Sequence, residues 1–244
     1  MLNTRIAVIG SGISGLSSAW YLSQKFKIDI YEKNDYYGGH SNTQIVETDK
    51  NKIPIDTGFI VFNELNYPNL CNFFKQLKVP SFTSNMSFSV SMNEGKLEYS
   101  GDSISSIFAQ KKNLLNFKFL KMLYEIVKFY KNAEKDREYF KNKTIDEYLT
   151  KLKYSNYFKM YHLYPMAASI WSSPISQIKN YPFDKFVNFF SNHGLLRIFN
   201  RPAWQTVSGG SKEYVKKVLS NPKIRAFKNS KSTIYRTTDG MWEL

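Results

Sequence analysis

The segment 6–15, IAVIGSGISG, constrains this chain more than any other. An apolar run that reads as a buried strand passes directly into glycines at 10, 12 and 15, and a helical pattern follows to about residue 24. Gly10 permits the tight turn out of the strand, Gly12 lets backbone approach a phosphate, and Gly15 lets helix and strand pack closely. A second apolar run, 28–31, ends in Glu32, 22 residues after Gly10 and near the spacing at which a carboxylate accepts a ribose hydroxyl. The two runs and their helix make half of a dinucleotide-binding βαβ unit. The helix opens at Ile13 and Ser14, so its unpaired N–H groups and positive dipole end face the expected pyrophosphate. A glycine triplet alone also occurs in empty structural turns; strand, helix and acid together give this one its meaning. A carboxylate at 32 also disfavours a 2′-phosphate, which makes NADP the least suitable dinucleotide.

A second glycine pair, Gly38 and Gly39, follows six residues after Glu32 and opens the string GHSNT, with IPIDTGFIVF at 53–62. A plain NAD domain has no need of that pair. The arrangement resembles the flavin-containing amine oxidase superfamily, and the resemblance implies FAD. It places Gly38 and Gly39 beneath the diphosphate and ribityl chain, and Thr57, Gly58, Phe59 and Ile60 against the isoalloxazine ring. The expected cofactor-binding set is therefore Gly10, Gly12, Ile13, Ser14, Gly15, Glu32 with the adjoining Lys33, Gly38, Gly39, His40, Thr57, Gly58, Phe59 and Ile60. Many members carry Arg where this chain has His40, so its imidazole has two readings, diphosphate contact and simple packing.

Four longer strings narrow the resemblance: 56–70 (DTGFIVFNELNYPNL), 164–174 (YPMAASIWSSP), 192–196 (NHGLL) and 201–215 (RPAWQTVSGGSKEYV). They are similar to a subgroup of bacterial NAD/FAD-binding, amine-oxidase-like proteins often associated with cyclopropane-fatty-acid synthases. The resemblance implies an α/β fold: a Rossmann-like, glutathione-reductase-type FAD domain joined to a mainly helical α+β substrate or cap domain. It also implies an enzyme that moves a hydride equivalent from a C–H bond of an amine or lipid-like substrate to flavin N5. Oxygen or another acceptor would then reoxidise the ring. Two other readings remain: an NAD-dependent dehydrogenase, and a non-catalytic truncated nucleotide-binding fragment.

Composition places the chain among globular proteins, with 42% hydrophobic and 16% aromatic residues in 244. One cysteine, Cys71, forms no internal disulfide and has no metal-ligand spacing, which fits a reducing, cytoplasmic setting and a packing role. No apolar stretch is long enough to span a bilayer, and no metal-binding cluster is present. The net charge of +14 invites a nucleic-acid reading, but Lys supplies all but six of the 34 basic residues and they are dispersed. Phosphate and base recognition favours Arg forks, so no nucleic-acid partner is expected.

The pattern predicts an FAD-domain portion at 1–78, a substrate or cap domain at 79–200, and a return to the FAD domain at 201–244. Strands are expected near 4–9, 28–32, 43–48 and 53–56, and a helix over 66–78, where Leu70, Phe73, Phe74 and Leu77 share a face. A hairpin turning at Asn93, Glu94 and Gly95 should occupy 82–100. A helix at 209–219 and a strand at 224–227 follow. Segments 232–236 and 241–244 flank Thr238, Asp239 and Gly240, a hairpin signal. Members of the resembling family continue further, so the chain reads as C-terminally incomplete, with the missing half as a candidate partner chain.

Residues 111–143 pattern as an amphipathic helix, with Phe119, Leu120, Leu123, Ile126, Val127 and Tyr130 on one side and Lys118, Lys121, Lys128, Lys131 and Lys135 on the other. That describes first an ordinary surface helix with solvated lysines, with a peripheral membrane contact on anionic lipid as the second reading. No catalytic residue is assignable. His162, inside an aromatic helix, reads as packed, and His193, before Gly194, as a helix-end cap. Trp171, Trp204, Asn63 and Tyr67 are core residues or pocket walls.

Overall fold

The structure is a computed structural model, and it describes residues 5–198 and 200–231 together with the backbone of 235–236 and 242–243. In chain order the early elements are β1 (Arg5–Ile9), α1 (Ile13–Leu22), β2 (Lys27–Tyr31), β3 (Thr43–Glu47), β4 (Lys52–Asp56), α2 (Pro68–Gln76) and β5 (Ser81–Ser84). Then come β6 (Ser89–Met92), β7 (Leu97–Ser100), α3 (Ile104–Ile107), a 3-10 turn (Lys111–Leu115), α4 (Phe117–Asp136) and α5 (Ile145–Lys151). A helix follows in three parts, α6 (Asn156–Phe158), a π turn (Lys159–Leu163) and α7 (Tyr164–Trp171). The last elements are α8 (Ile175–Lys179), α9 (Phe183–Asn192), β8 (Trp204–Val207), α10 (Lys212–Leu219), β9 (Ile224–Phe227), β10 (Tyr235–Arg236) and β11 (Trp242–Glu243). They form two compact units, 1–84 with 203–244, and 85–202.

Unit 1 is built on a parallel sheet of order β1-β2-β9. Ala7, Asp29 and Arg225 stand side by side across it. α1 carries the chain from β1 to β2 and buries Leu16 and Ala19 against Ile28 and Ile30. α10 buries Tyr214, Val215 and Val218 in the same core, and α2 adds Phe73 and Phe74. The middle strand is clamped by charge. Arg225 forks onto Asp29 through Nε and Nη2 at 2.8 and 2.7 Å, and Arg5 Nη1 donates to the same carboxylate at 2.8 Å. The Arg225 hydrogen bonds, with those of Arg5, outweigh burial and hold the Asp29 carboxyl below the ordinary range. Two antiparallel ribbons complete the unit, β3/β4 and β5/β8. The sequence reading missed β5 and β8. β10 and β11 pair antiparallel as expected, while the turn predicted at 238–240 lies outside the described residues.

Unit 2 begins with the β6/β7 hairpin, whose turn residues Asn93, Glu94 and Gly95 all have left-handed backbone (φ 53, 56 and 78°). The rest is helical around an aromatic core. Phe129, Tyr148, Phe158, Phe183, Phe186 and Phe190 are fully buried, and Tyr148 stacks on Phe183 at 3.8 Å. α5 opens with a capping box between Thr144 and Glu147. α4 keeps Phe119, Leu123, Ile126 and Tyr130 of the predicted stripe on the core, adds Met122, Glu125, Phe129 and Ala133 as buried positions, and leaves Leu120 exposed. Glu125 can be buried because Ser155 satisfies it through backbone N–H and hydroxyl. Lys128 is not simply solvated, because its ammonium lies 4.8 Å from the Tyr154 ring centre.

Candidate functional site

Strand β1 ends where Gly10 adopts φ +89°, a conformation closed to most side chains, and α1 starts three residues later. Gly12 is the N-cap and supplies no side chain, so the first N–H groups of α1 have no side-chain partner. Hydrogen-bond donors left unpaired at a helix start favour an anion. A Cβ added at Gly10 or Gly12 would meet nothing within 4 Å, so both glycines border open space. At Gly15 the opposite holds, since a Cβ there would sit 2.0 Å from the Gly10 carbonyl oxygen. The first two glycines keep room free; the third lets the turn close.

Glu32 lies at the end of β2, buried beneath this turn. Its Oε2 accepts from the Ser11 backbone N–H at 2.9 Å and from the Ser11 hydroxyl at 2.6 Å, and its Oε1 from the Asn34 N–H at 3.0 Å. Burial pushes the carboxyl up, but the hydrogen bonds from Ser11 and Asn34 prevail and its pKa falls below the ordinary value. Ser11 also accepts from the Gly38 N–H at 3.2 Å. One chain of hydrogen bonds thus ties the first glycine turn, the end of β2 and the second glycine pair. A Cβ at Gly39 would stand 3.2 Å from Gly12 Cα, so the two glycine segments touch backbone to backbone.

These segments line a cleft of about 590 Å³. Its walls include Gly10, Gly12, Ile13, Ser14, Gly15, Gly38, Gly39, His40 and Phe59 of the predicted set. Ser41, Tyr67, Leu70 and Tyr214 join them without having been predicted as cofactor contacts. Ser41 and Tyr214 hold each other through a 2.6 Å hydroxyl pair. Glu32 sits behind the wall through Ser11, while Lys33, Thr57, Gly58 and Ile60 are not among the lining residues.

The segment after β4 is fixed at several points. The Asp56 carboxylate accepts from the Ser211 N–H at 2.9 and 3.0 Å, from the Ser211 hydroxyl at 2.7 Å and from Thr43 at 2.5 Å, just before α10. A negative charge at that helix start is stabilised by the dipole. Thr57 donates from Oγ1 to the Asn42 carbonyl, Phe59 N–H to the His40 carbonyl, and Thr206 to the Ile60 carbonyl. Sequence reading did not find the Asp56 contact, because Ser211 lies 155 positions away. Among the described residues no cluster of His, Cys, Asp and Glu could hold a metal, and no helix is long and apolar enough to cross a membrane.

A parallel βαβ unit whose glycine turn and helix start border a cleft defines the class: a Rossmann-like nucleotide-binding domain. Residues 8–77 match the family described as NAD(P)-binding Rossmann-like domain. Among solved structures, an oxidoreductase from Methanosarcina mazei is 17% identical, with 96% of this chain and 54% of that one covered at TM-score 0.51. Wild-type putrescine oxidase bound to putrescine is 14% identical, covering 93% and 51% at TM-score 0.57. A double variant from a redesign of cofactor binding in putrescine oxidase gives 16%, 93%, 51% and 0.58. The chain therefore shares its fold with part of these structures and spans about half their length. No match was found among curated proteins.

Proposed function

We propose that unit 1 binds FAD and that the protein is an FAD-dependent oxidoreductase of the amine oxidase and desaturase type, acting on an amine or lipid-like substrate. The cleft is the observation that carries this reading. Its two backbone segments leave open space at Gly10 and Gly12, set an uncapped helix start beside it, and meet at Gly39 with no side chain between. An extended diphosphate fits such a wall of N–H groups. Glu32 spends three of its roughly four acceptor positions on Ser11 and Asn34, which leaves capacity for a ribose hydroxyl.

Bound flavin would supply a ring that takes a hydride equivalent from a substrate C–H bond. The chain's own contribution is positional. Ser11 and Glu32 hold the diphosphate turn, and Asp56, through Ser211, fixes the backbone of 57–60, the segment proposed to meet the ring. His40 lines the same cleft and would meet the diphosphate there.

The test is reconstitution with FAD followed by gel filtration, comparing the chain with Gly12→Ala. Flavin absorbance should travel with the unaltered protein and be lost from the variant, with no change in thermal melt, because the new methyl enters empty space. Nicotinamide retention without flavin would instead favour the dehydrogenase reading. Equal flavin retention by both proteins would refute the assigned cleft.

A further inference from the structure

α4 presents an exposed apolar tip at its N-terminal end. Leu115 and Phe117 are 86 and 87% exposed, Tyr124 is 67% exposed, and Leu114 and Leu120 are exposed with them. Phe117, Leu120 and Tyr124 fall on one side of the helix at spacings of three and four, opposite the buried Phe119 and Met122. Large side chains seldom cluster in water without a partner.

Charge within the segment itself is of one sign, while the exposed Glu98 of β7 lies against its start, its N–H donating to the Gln110 side chain. Lys111, Lys112, Lys118 and Lys121 are interleaved with these residues and all are exposed. No Asp or Glu occurs from 103 to 124. The nearest following acid, Glu125, is buried and committed to Ser155. The positive end of a 20-residue helix points the same way. Lys118 and Lys121 also border a cavity of about 760 Å³ whose other walls include Met92, Tyr157, Met160 and Tyr161. Apolar side chains, lysines and an adjoining cavity of mixed polar and apolar lining match the layered chemistry of a bilayer surface: acyl chains within, phosphates above.

We propose that residues 111–124 dock this protein peripherally on a membrane containing anionic phospholipid, with Leu114, Leu115 and Phe117 entering the acyl boundary and the four lysines meeting headgroup phosphates. This surface lies within unit 2 and does not depend on the flavin reading.

The experiment is co-sedimentation of the whole chain with vesicles of phosphatidylcholine alone and of phosphatidylcholine with phosphatidylserine. Binding should be about tenfold or more tighter to the anionic vesicles and should weaken with salt. Leu115→Ser with Phe117→Ser should reduce it about tenfold or more, at unchanged melting temperature because both positions are exposed. Lys118→Gln with Lys121→Gln should weaken binding to anionic vesicles alone and flatten the salt dependence. Equal binding to both vesicles, or no effect of either double variant, would overturn the proposal. So would self-association in solution that the Leu115→Ser, Phe117→Ser variant abolishes, since the tip would then be a contact between copies.

Discussion

Lowering the pH from 7.5 to 5 should cost unit 2 about 2 kcal/mol through a single side chain, His162. Its ring is buried between Phe158, stacked at 6.0 Å, and Phe88, edge-on at 5.7 Å. Tyr99 donates its hydroxyl proton to the Tyr161 carbonyl at 2.8 Å, so the 3.0 Å contact with His162 Nδ1 has the imidazole as donor. Burial pushes the Tyr99 phenol pKa up, so that hydroxyl stays neutral. The other ring nitrogen, Nε2, is buried without a hydrogen-bond partner. A proton added there would leave a charge with no water and no acceptor. Burial, reinforced by the positive charge of Arg201, pulls the imidazole down to about 3 from 6.5. The unfolded chain therefore takes up this proton before the native one does. The His162 contribution is intact above pH 6.5 and is lost progressively as pH falls from there to about 3. At pH 5, about 1.5 units below the unfolded value, the loss is about 2 kcal/mol at roughly 1.4 kcal/mol per unit. Hydrogen exchange on peptides from α4, α7 and α9, corrected for the intrinsic pH dependence, reads the opening free energy of this unit alone. His162→Gln lacks the titrating group and should lose the acid-dependent part. An identical pH dependence in both proteins would refute the reasoning.

Two further outcomes follow from the geometry of unit 1. Gly15→Ala should destabilise it by about 3 kcal/mol, because the new methyl would meet the Gly10 carbonyl at 2.0 Å; a melt matching that of Gly12→Ala would contradict the close-packing role. Asp29→Asn should cost about 2 kcal/mol at neutral pH by weakening the hydrogen bonds from Arg225 and Arg5. The native pKa of Asp29 is lowered from 3.8, so its contribution is complete above that value and fades as pH falls below it. Urea midpoints of the two proteins should accordingly converge below about pH 4, and a constant gap would count against the clamp.

The βαβ unit was legible because its signals are local. Apolar period, turn glycines and the acid at position 32 all lie within a few tens of residues. Pairings across long stretches were not legible. Ser81–Ser84 is short and polar, and nothing near it announces that Trp204–Val207 will be its partner. The same blindness hid Ser11, whose two-sided link between Glu32 and Gly38 depends on a fold already formed. In α4 the apolar count reached Phe119, Leu123, Ile126 and Tyr130 but not Glu125, which looks like a surface residue until Ser155 is placed beside it.

The position of β9 has a consequence for how this polypeptide is born. Ile28 finds its neighbour Ile224 only after almost 200 further residues have been made, whereas 85–202 is one uninterrupted stretch. At ribosomal speeds of about 5–20 residues per second, the first two strands wait roughly 10–40 seconds for the third. The helical insert can be finished before β9 has been made, so any guest that needs the Tyr214 side of the cleft must wait until 85–202 has been synthesised.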